Sequence, residues 1–95
     1  MTEQQGLNVW VDDEREAPKG WVWDKTVESA IFTLQSYRVH HLALDYVMGR
    51  GKNTGEIMEW LREHPDRWPT GEITCHSGSF DAQKLIEEMA KDYAP

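Results

Sequence analysis

LNVWVDDEREAPKGW, residues 7–21, opens on a short, largely apolar run and stops it on two consecutive aspartates. A run of this kind bounded by turn-forming residues is the pattern of a buried strand, so Leu7–Val11 is read as a core strand ended by Asp12, Asp13, Glu14 and Arg15. Pro18 and Gly20 then mark a loop, and Trp21 to Trp23 make a second short strand. The intervening nine residues, 12–20, are too few and too broken by Pro and Gly for a crossover helix. The two strands are therefore either a hairpin or parallel neighbours that have lost their helix.

Strands and helices alternate downstream. Thr26 is placed to cap a helix whose Val27, Ala30, Ile31 and Leu34 recur at helical spacing. His41 to Leu44 forms a core strand ending at Asp45, followed by a loop containing Gly49, Gly51 and Asn53. Asn53 with Glu56 three residues on resembles a capping box for the helix carrying Ile57, Met58 and Leu61. Pro65 and Pro69 bracket the next connection. Glu72 to Cys75 is a strand, with His76 and Ser77 directly after it. Ser79 is placed to cap the last helix, with Ala82, Leu85, Ile86 and Met89 on its buried face. This alternation predicts a parallel sheet covered by helices, in one domain over residues 1–95 with residues 1–6 flexible.

Composition narrows the function classes. The 95-residue chain carries 17 acidic and 10 basic residues, a formal net charge of -7. That balance argues against an extended nucleic-acid surface, which needs Lys and Arg to displace counterions, and leaves room for one phosphorylated group held by a metal or a few donors. Five Trp, three Tyr and two Phe supply apolar area to a small core. Trp21 and Trp23 are read as core cover, with base stacking as the functional alternative. The one cysteine, Cys75, excludes an internal disulfide and lies in an apolar strand as a small core residue. His40 and His41 are read as flanking their strand. No signal peptide pattern and no apolar stretch of roughly 18 residues is present, so a cytoplasmic protein without membrane contact is expected.

The functional signal is the way three strands end. In an open parallel sheet, ligands sit outside the carboxyl ends of the strands near the point where strand order reverses. Asp12 and Asp13, Asp45, and His76 with Ser77 each terminate an apolar run, and adjacent strands bring them to one rim. Carboxylates crowded together raise one another's pKa unless a cation neutralises them, and Mg²⁺ or Mn²⁺ is the expected cofactor, held by Asp12, Asp13 and Asp45. Arg15, Ser77 and Ser79 are the expected phosphate contacts, the last at a helix N-terminus. His76 and Asp45 are the candidate catalytic pair, His76 as acid, base or ligand.

With these residues in hand, the segments VWVDDEREAPKGW, HLALDYVMG with TGEIMEWL, and WPTGEITCHSGS resemble the cyclic-phosphate-processing receiver-like domains, truncated relatives of the response-regulator receiver. The likeness runs from about Leu7 to the last helix, and the DDER-x-x-P-x-GW opening is its specific part. It implies a small three-layer, receiver-like (flavodoxin-like) α/β domain. About four mostly parallel strands and three helices are expected, without the first crossover helix or the fifth strand. It also implies binding, with metal-assisted hydrolysis, of a cyclic phosphate on a nucleotide or RNA end. The family's acidic and basic motif falls on Asp12, Asp13 and Arg15, its strand-end Asp on Asp45, and its His-Ser pair on His76 and Ser77. The chain departs where the family reads Leu-Asp-His-Asp-Leu-Gly and this sequence has Leu44, Asp45, Tyr46, Val47, Met48 and Gly49. The Asn usual after the His-Ser pair is also absent, with Ser79 nearby. Two alternatives stand beside a phosphoesterase. One is a non-catalytic nucleotide- or protein-binding module (a phage-encoded inhibitor, for instance, or a homodimer). The other is a degenerate receiver phosphorylated on Asp45.

Overall fold

The computed structural model describes residues 6–49 and 51–95. In chain order the elements are β1 (Leu7–Val11), β2 (Val22–Asp24), α1 (Val27–Ser36), β3 (Val39–Leu44), α2 (Gly55–Glu63), β4 (Glu72–Cys75) and α3 (Phe80–Tyr93), with one 3₁₀ turn at Pro65–Arg67. The flexibility expected for residues 1–6 falls, for residues 1–5, outside the described residues. Gly6 packs so closely that a Cβ there would sit 2.5 Å from the Arg38 carbonyl oxygen.

The four strands form one sheet in the order β2-β1-β3-β4. Every pairing is parallel, with Val9 opposite Val22 and Leu42, and Leu42 opposite Ile73. This settles the open question about the first two strands: they are not a hairpin, and their crossover is an irregular loop without a helix. The β2–α1–β3 connection steps over β1, and β3–α2–β4 continues in the same direction. Right-handed crossovers therefore place α1 and α2 on one face. The core agrees, because Val9, Val11, Leu42 and Leu44 pack with Val27, Ala30 and Leu34 of α1, Ile57, Met58 and Leu61 of α2, and Ile86 of α3 in one buried cluster.

Local chemistry accounts for most element ends. Thr26 Oγ1 accepts from the Ser29 amide, and Ser79 Oγ from the Ala82 amide, each satisfying an orphan helix donor. The capping box expected at Asn53 and Glu56 does not form. Thr54 is the N-cap and makes no side-chain cap bond, whereas Asn53 Oδ1 accepts from the Gly55 amide at 2.8 Å and Glu56 faces Lys52 at 4.0 Å. Leu85 also departs from its expected buried position; it is exposed, while Ala82 and Ile86 carry the buried stripe.

Side chains alternate faces along a strand, so Val9 and Val11 toward the helices send Trp10 to the other side. Trp21 and Trp23 belong there too. Neither is part of the core cluster or packed against it, and Trp21 meets Trp10 edge-on at 6.1 Å. Their expected role as core cover is thus replaced by a place on the opposite face. The layer on that face consists of these rings and the 12–21 loop, since no helix is available from the first crossover to cover it. Among the described residues, no helix is long and apolar enough to cross a membrane.

Candidate functional site

Strand order reverses at β1, which has β2 on one side and β3 on the other, so the rim outside the carboxyl ends of β1 and β3 is the favoured ligand position in such a sheet. Asp12 and Asp45 occupy it. The Asp12 amide donates to Asp24 O at 3.1 Å and the Asp45 amide to Val11 O at 2.9 Å, extending the ladders by one residue and fixing both carboxylates at the edge. The His76 amide does the same to Leu44 O at 2.8 Å.

Asp12 is the hub. Its side chain is fully buried and accepts four hydrogen bonds. Oδ1 takes the Glu14 amide at 2.8 Å and the Arg15 amide at 2.9 Å, and Oδ2 takes Arg15 Nε and His76 Nε2, both at 3.1 Å. Burial pushes its pKa up, but the two amides, the His76 contact and the Arg15 charge outweigh that and hold it below the ordinary carboxylate value. Arg15 also reaches Asp45, with Nη2 3.5 Å from Oδ1, so one guanidinium bridges two strand ends. Asp45 Oδ1 accepts from the Tyr46 amide at 2.9 Å.

Asp13 completes the acidic group. Carboxylate oxygens of Asp12, Asp13 and Asp45 all lie within 4.8 Å of one another. Gly49 makes room for Asp13: a Cβ there would stand 3.0 Å from Asp13 Oδ2, and its φ of +76° is one that side chains disfavour. Three convergent carboxylate oxygens suit a hard divalent ion, although the Oδ2 of Asp12 is already engaged by Arg15 and His76.

His76 lies flat against Trp10, with ring centroids 3.7 Å apart and planes 6° from parallel. Burial lowers its pKa from the ordinary imidazole value, against the opposing pull of Asp12. The neutral ring therefore carries its hydrogen on Nε2, toward the acceptor-only carboxylate of Asp12. That leaves Nδ1 as a bare acceptor, buried and without a hydrogen-bond partner.

The hydrogen bonds of Ser77 and Ser79 run toward the start of α3 and not to this cluster. Ser77 is buried, its Oγ accepting from the Ser79 amide at 3.2 Å, and Ser79 Oγ is the α3 cap. Both line a cavity of about 350 Å³ shared with Tyr46, Val47 and Leu85. The rim thus unites Asp12, Asp13, Arg15, Asp45 and His76, while the two serines organise the adjoining helix start. Cys75 packs against the core, and burial raises its thiol pKa, which suits the core reading.

Two contributors, Trp10 and Asp24, are not singled out from sequence, and a third, Trp23, is read there as core cover or a stacking ring. Trp10 stacks on His76 and donates its Nε1 hydrogen to Arg15 O at 3.0 Å. Trp23 donates from Nε1 to Asp12 O at 2.8 Å. Asp24 is a buried strand-end carboxylate that accepts from Ser29 Oγ and leaves Oδ2 unpartnered. Asp24 ends an apolar run just as Asp12 and Asp45 do, so the same rule detects it. The two indoles give no comparable signal, because their roles depend on which sheet face they occupy.

The sequence model described as the cyclic-phosphate processing receiver domain matches residues 7–92. The chain belongs to that family. No curated protein and no solved structure matches it. The acidic rim of Asp12, Asp13 and Asp45 lies within the matched residues. Val47, where the resemblance implies an Asp, is 63% exposed.

Proposed function

We propose that this domain binds a cyclic phosphate on a nucleotide or RNA end at the strand-end rim, with a divalent cation as cofactor. The observation that carries the reading is the placement of one guanidinium and one imidazole against three carboxylates that converge within 4.8 Å. Asp13 and Asp45, with Asp12 behind them, would hold Mg²⁺ or Mn²⁺. Such an ion, when bound, polarises a phosphate oxygen and offsets the charge of the cluster. The Arg15 side chain is 55% exposed and tethered at its base by its own amide, so it is free to turn its fork from Asp45 onto a phosphate oxygen.

Hydrolysis is the finer half of the proposal. In it, His76 moves a proton at the phosphoester oxygen, and Asp12 holds the ring in one tautomer. Two observations favour binding without turnover as the second reading. His76 Nε2 is committed to Asp12 and Nδ1 is buried, so neither nitrogen is presented to a substrate without movement of the ring. Val47 and Tyr46 also replace the reactive groups of the family pattern, and loss of one acid–base partner costs about 10²–10⁴ in rate. Phosphorylation of Asp45 is less well supported. Among the described residues β4 is an edge strand with no fifth strand beside it to supply a Lys, and Lys52 pairs with Glu28.

The test is incubation with adenosine 2′,3′-cyclic phosphate and Mg²⁺ or Mn²⁺, followed by ³¹P NMR. A linear monophosphate that disappears in Asp45→Asn supports hydrolysis. Binding by calorimetry with no product supports the second reading. Neither binding nor product sinks both.

A further inference from the structure

The face of the sheet turned away from the helices carries an unusual concentration of aromatic rings. Trp10, Trp21, Trp23, His41 and His76 converge there, all of them only partly buried. Trp10 and Trp21 meet at 89°, and Trp21 and His41 at 62° with centroids 4.8 Å apart. His76 covers Trp10 in a parallel stack, and Lys25 Nζ lies 4.4 Å from the centre of the Trp23 ring. Trp21 differs from both. Among the described residues, its ring contacts are inclined and no cation or parallel ring lies on it.

We propose that this face is a nucleobase-stacking platform centred on Trp21, which holds the base of the nucleotide whose cyclic phosphate lies at the strand-end rim. The proposal rests on the cyclic-phosphate reading of the rim and extends it to the identity of the substrate: a nucleotide end rather than a base-free sugar phosphate.

Continuity links the two places. His76 belongs to both, touching Asp12 through Nε2 and Trp10 through its ring face. The indole hydrogens of Trp10 and Trp23 are spent on the carbonyls of Arg15 and Asp12, so the loop bearing the phosphate contacts is tied to the rings beneath it. Those bonds also hold the neighbouring rings in place, and a stacking surface that is ordered beforehand loses less freedom on binding. Stacking tolerates any base because each has a π-face.

Size favours a small occupant on this face. Four strands of three to six residues, at about 4.8 Å spacing and about 3.3 Å per residue, give a plane of roughly 300 Å². A standard protein interface takes about 800 Å² from each partner. Charge limits length as well. With a net charge of -7 and Arg15 and Lys25 as the cations beside the rings, the face suits one terminal nucleotide and not a long phosphate track.

Isothermal titration with three probes tests the proposal. The probes are adenosine 2′,3′-cyclic phosphate, methyl riboside 2,3-cyclic phosphate, which lacks a base, and adenosine. The nucleotide is expected to bind roughly 5- to 150-fold more tightly than the base-free phosphate, the gain stacking on one aromatic ring provides. Trp21→Ala should bring that ratio close to one, and Trp21→Phe should retain most of it, with circular dichroism confirming that both variants fold. Equal affinity of the two cyclic phosphates overturns the platform and leaves the rim reading intact, as does a ratio unchanged by Trp21→Ala. If neither cyclic phosphate binds, the rim reading fails. The platform then stands only if adenosine binds and Trp21→Ala abolishes it, and otherwise falls too.

Discussion

Asp12→Asn separates two accounts of the acidic rim with opposite signs. If Asp12 matters chiefly as one of three crowded carboxylates, neutralising it relieves repulsion from Asp13 and Asp45, and the metal-free domain becomes more stable. Its hydrogen bonds argue the reverse. Asn keeps an oxygen for the Glu14 and Arg15 amides, but its Nδ2 then faces two donors, Arg15 Nε and His76 Nε2. The Arg15 contact contributes little, since that side chain is 55% exposed and solvent screens it. The His76 contact is partly buried, and a hydrogen bond to a charged group is worth about 1.5–3 kcal/mol. His76 can accept from the new amide only by moving its hydrogen to Nδ1, which is buried without a partner, and an unsatisfied donor costs about 1–3 kcal/mol. Either route destabilises, by about 1–3 kcal/mol. For a domain of this size each kcal/mol lowers Tm by about 4–8 °C, so a drop of roughly 4–24 °C is expected. Differential scanning calorimetry in EDTA at pH 7 measures it. An unchanged or raised Tm refutes the claim that Asp12 is the structural hub of the rim.

Other outcomes follow from the same contacts. Asp12 and His76 both titrate below their ordinary values in the folded chain, so below about pH 6.5 the unfolded chain binds more protons. Stability should therefore fall as pH is lowered from 7 to 5 through the His76 window, and again below about 3.8 through that of Asp12; urea midpoints in EDTA that stay level or rise toward pH 5 contradict this. Ser79→Ala removes the α3 cap and should cost about 1 kcal/mol while leaving any Mn²⁺-induced rise in Tm intact. Gly49→Ala, at φ +76° and 3.0 Å from Asp13 Oδ2, should shrink that Mn²⁺-induced rise by displacing Asp13, and an unchanged rise would show that Asp13 takes no part in holding the ion.

The sheet and its rim were legible because they follow from strong local signals. Leu7–Val11 and Glu72–Cys75 are bounded by turn or charged residues, and Thr26 and Ser79 stand one residue before apolar helical periods. The convergence of Asp12, Asp45 and His76 required only that strand ends share a rim, and β1–β3–β4 adjacency supplies it. What sequence left open depends on choices made at a distance. Trp21 and Trp23 have the composition of core residues, but the absence of a first crossover helix leaves their face of the sheet uncovered. Asn53 satisfies the capping-box pattern by residue type, yet its oxygen is taken two residues on by Gly55. Ser77 follows His76 at the strand end, but its hydroxyl turns toward the Ser79 amide and the start of α3.

The central claim is that the Asp12, Asp13, Arg15, Asp45 and His76 rim receives a cyclic phosphate. Calorimetric titration of adenosine 2′,3′-cyclic phosphate into the chain in Mg²⁺ tests it most directly, run beside Arg15→Ala and Asp45→Asn. Saturable one-to-one binding, weakened at least tenfold by each substitution, is the predicted result. Absence of binding to the folded wild-type chain, or binding that neither substitution alters, contradicts it.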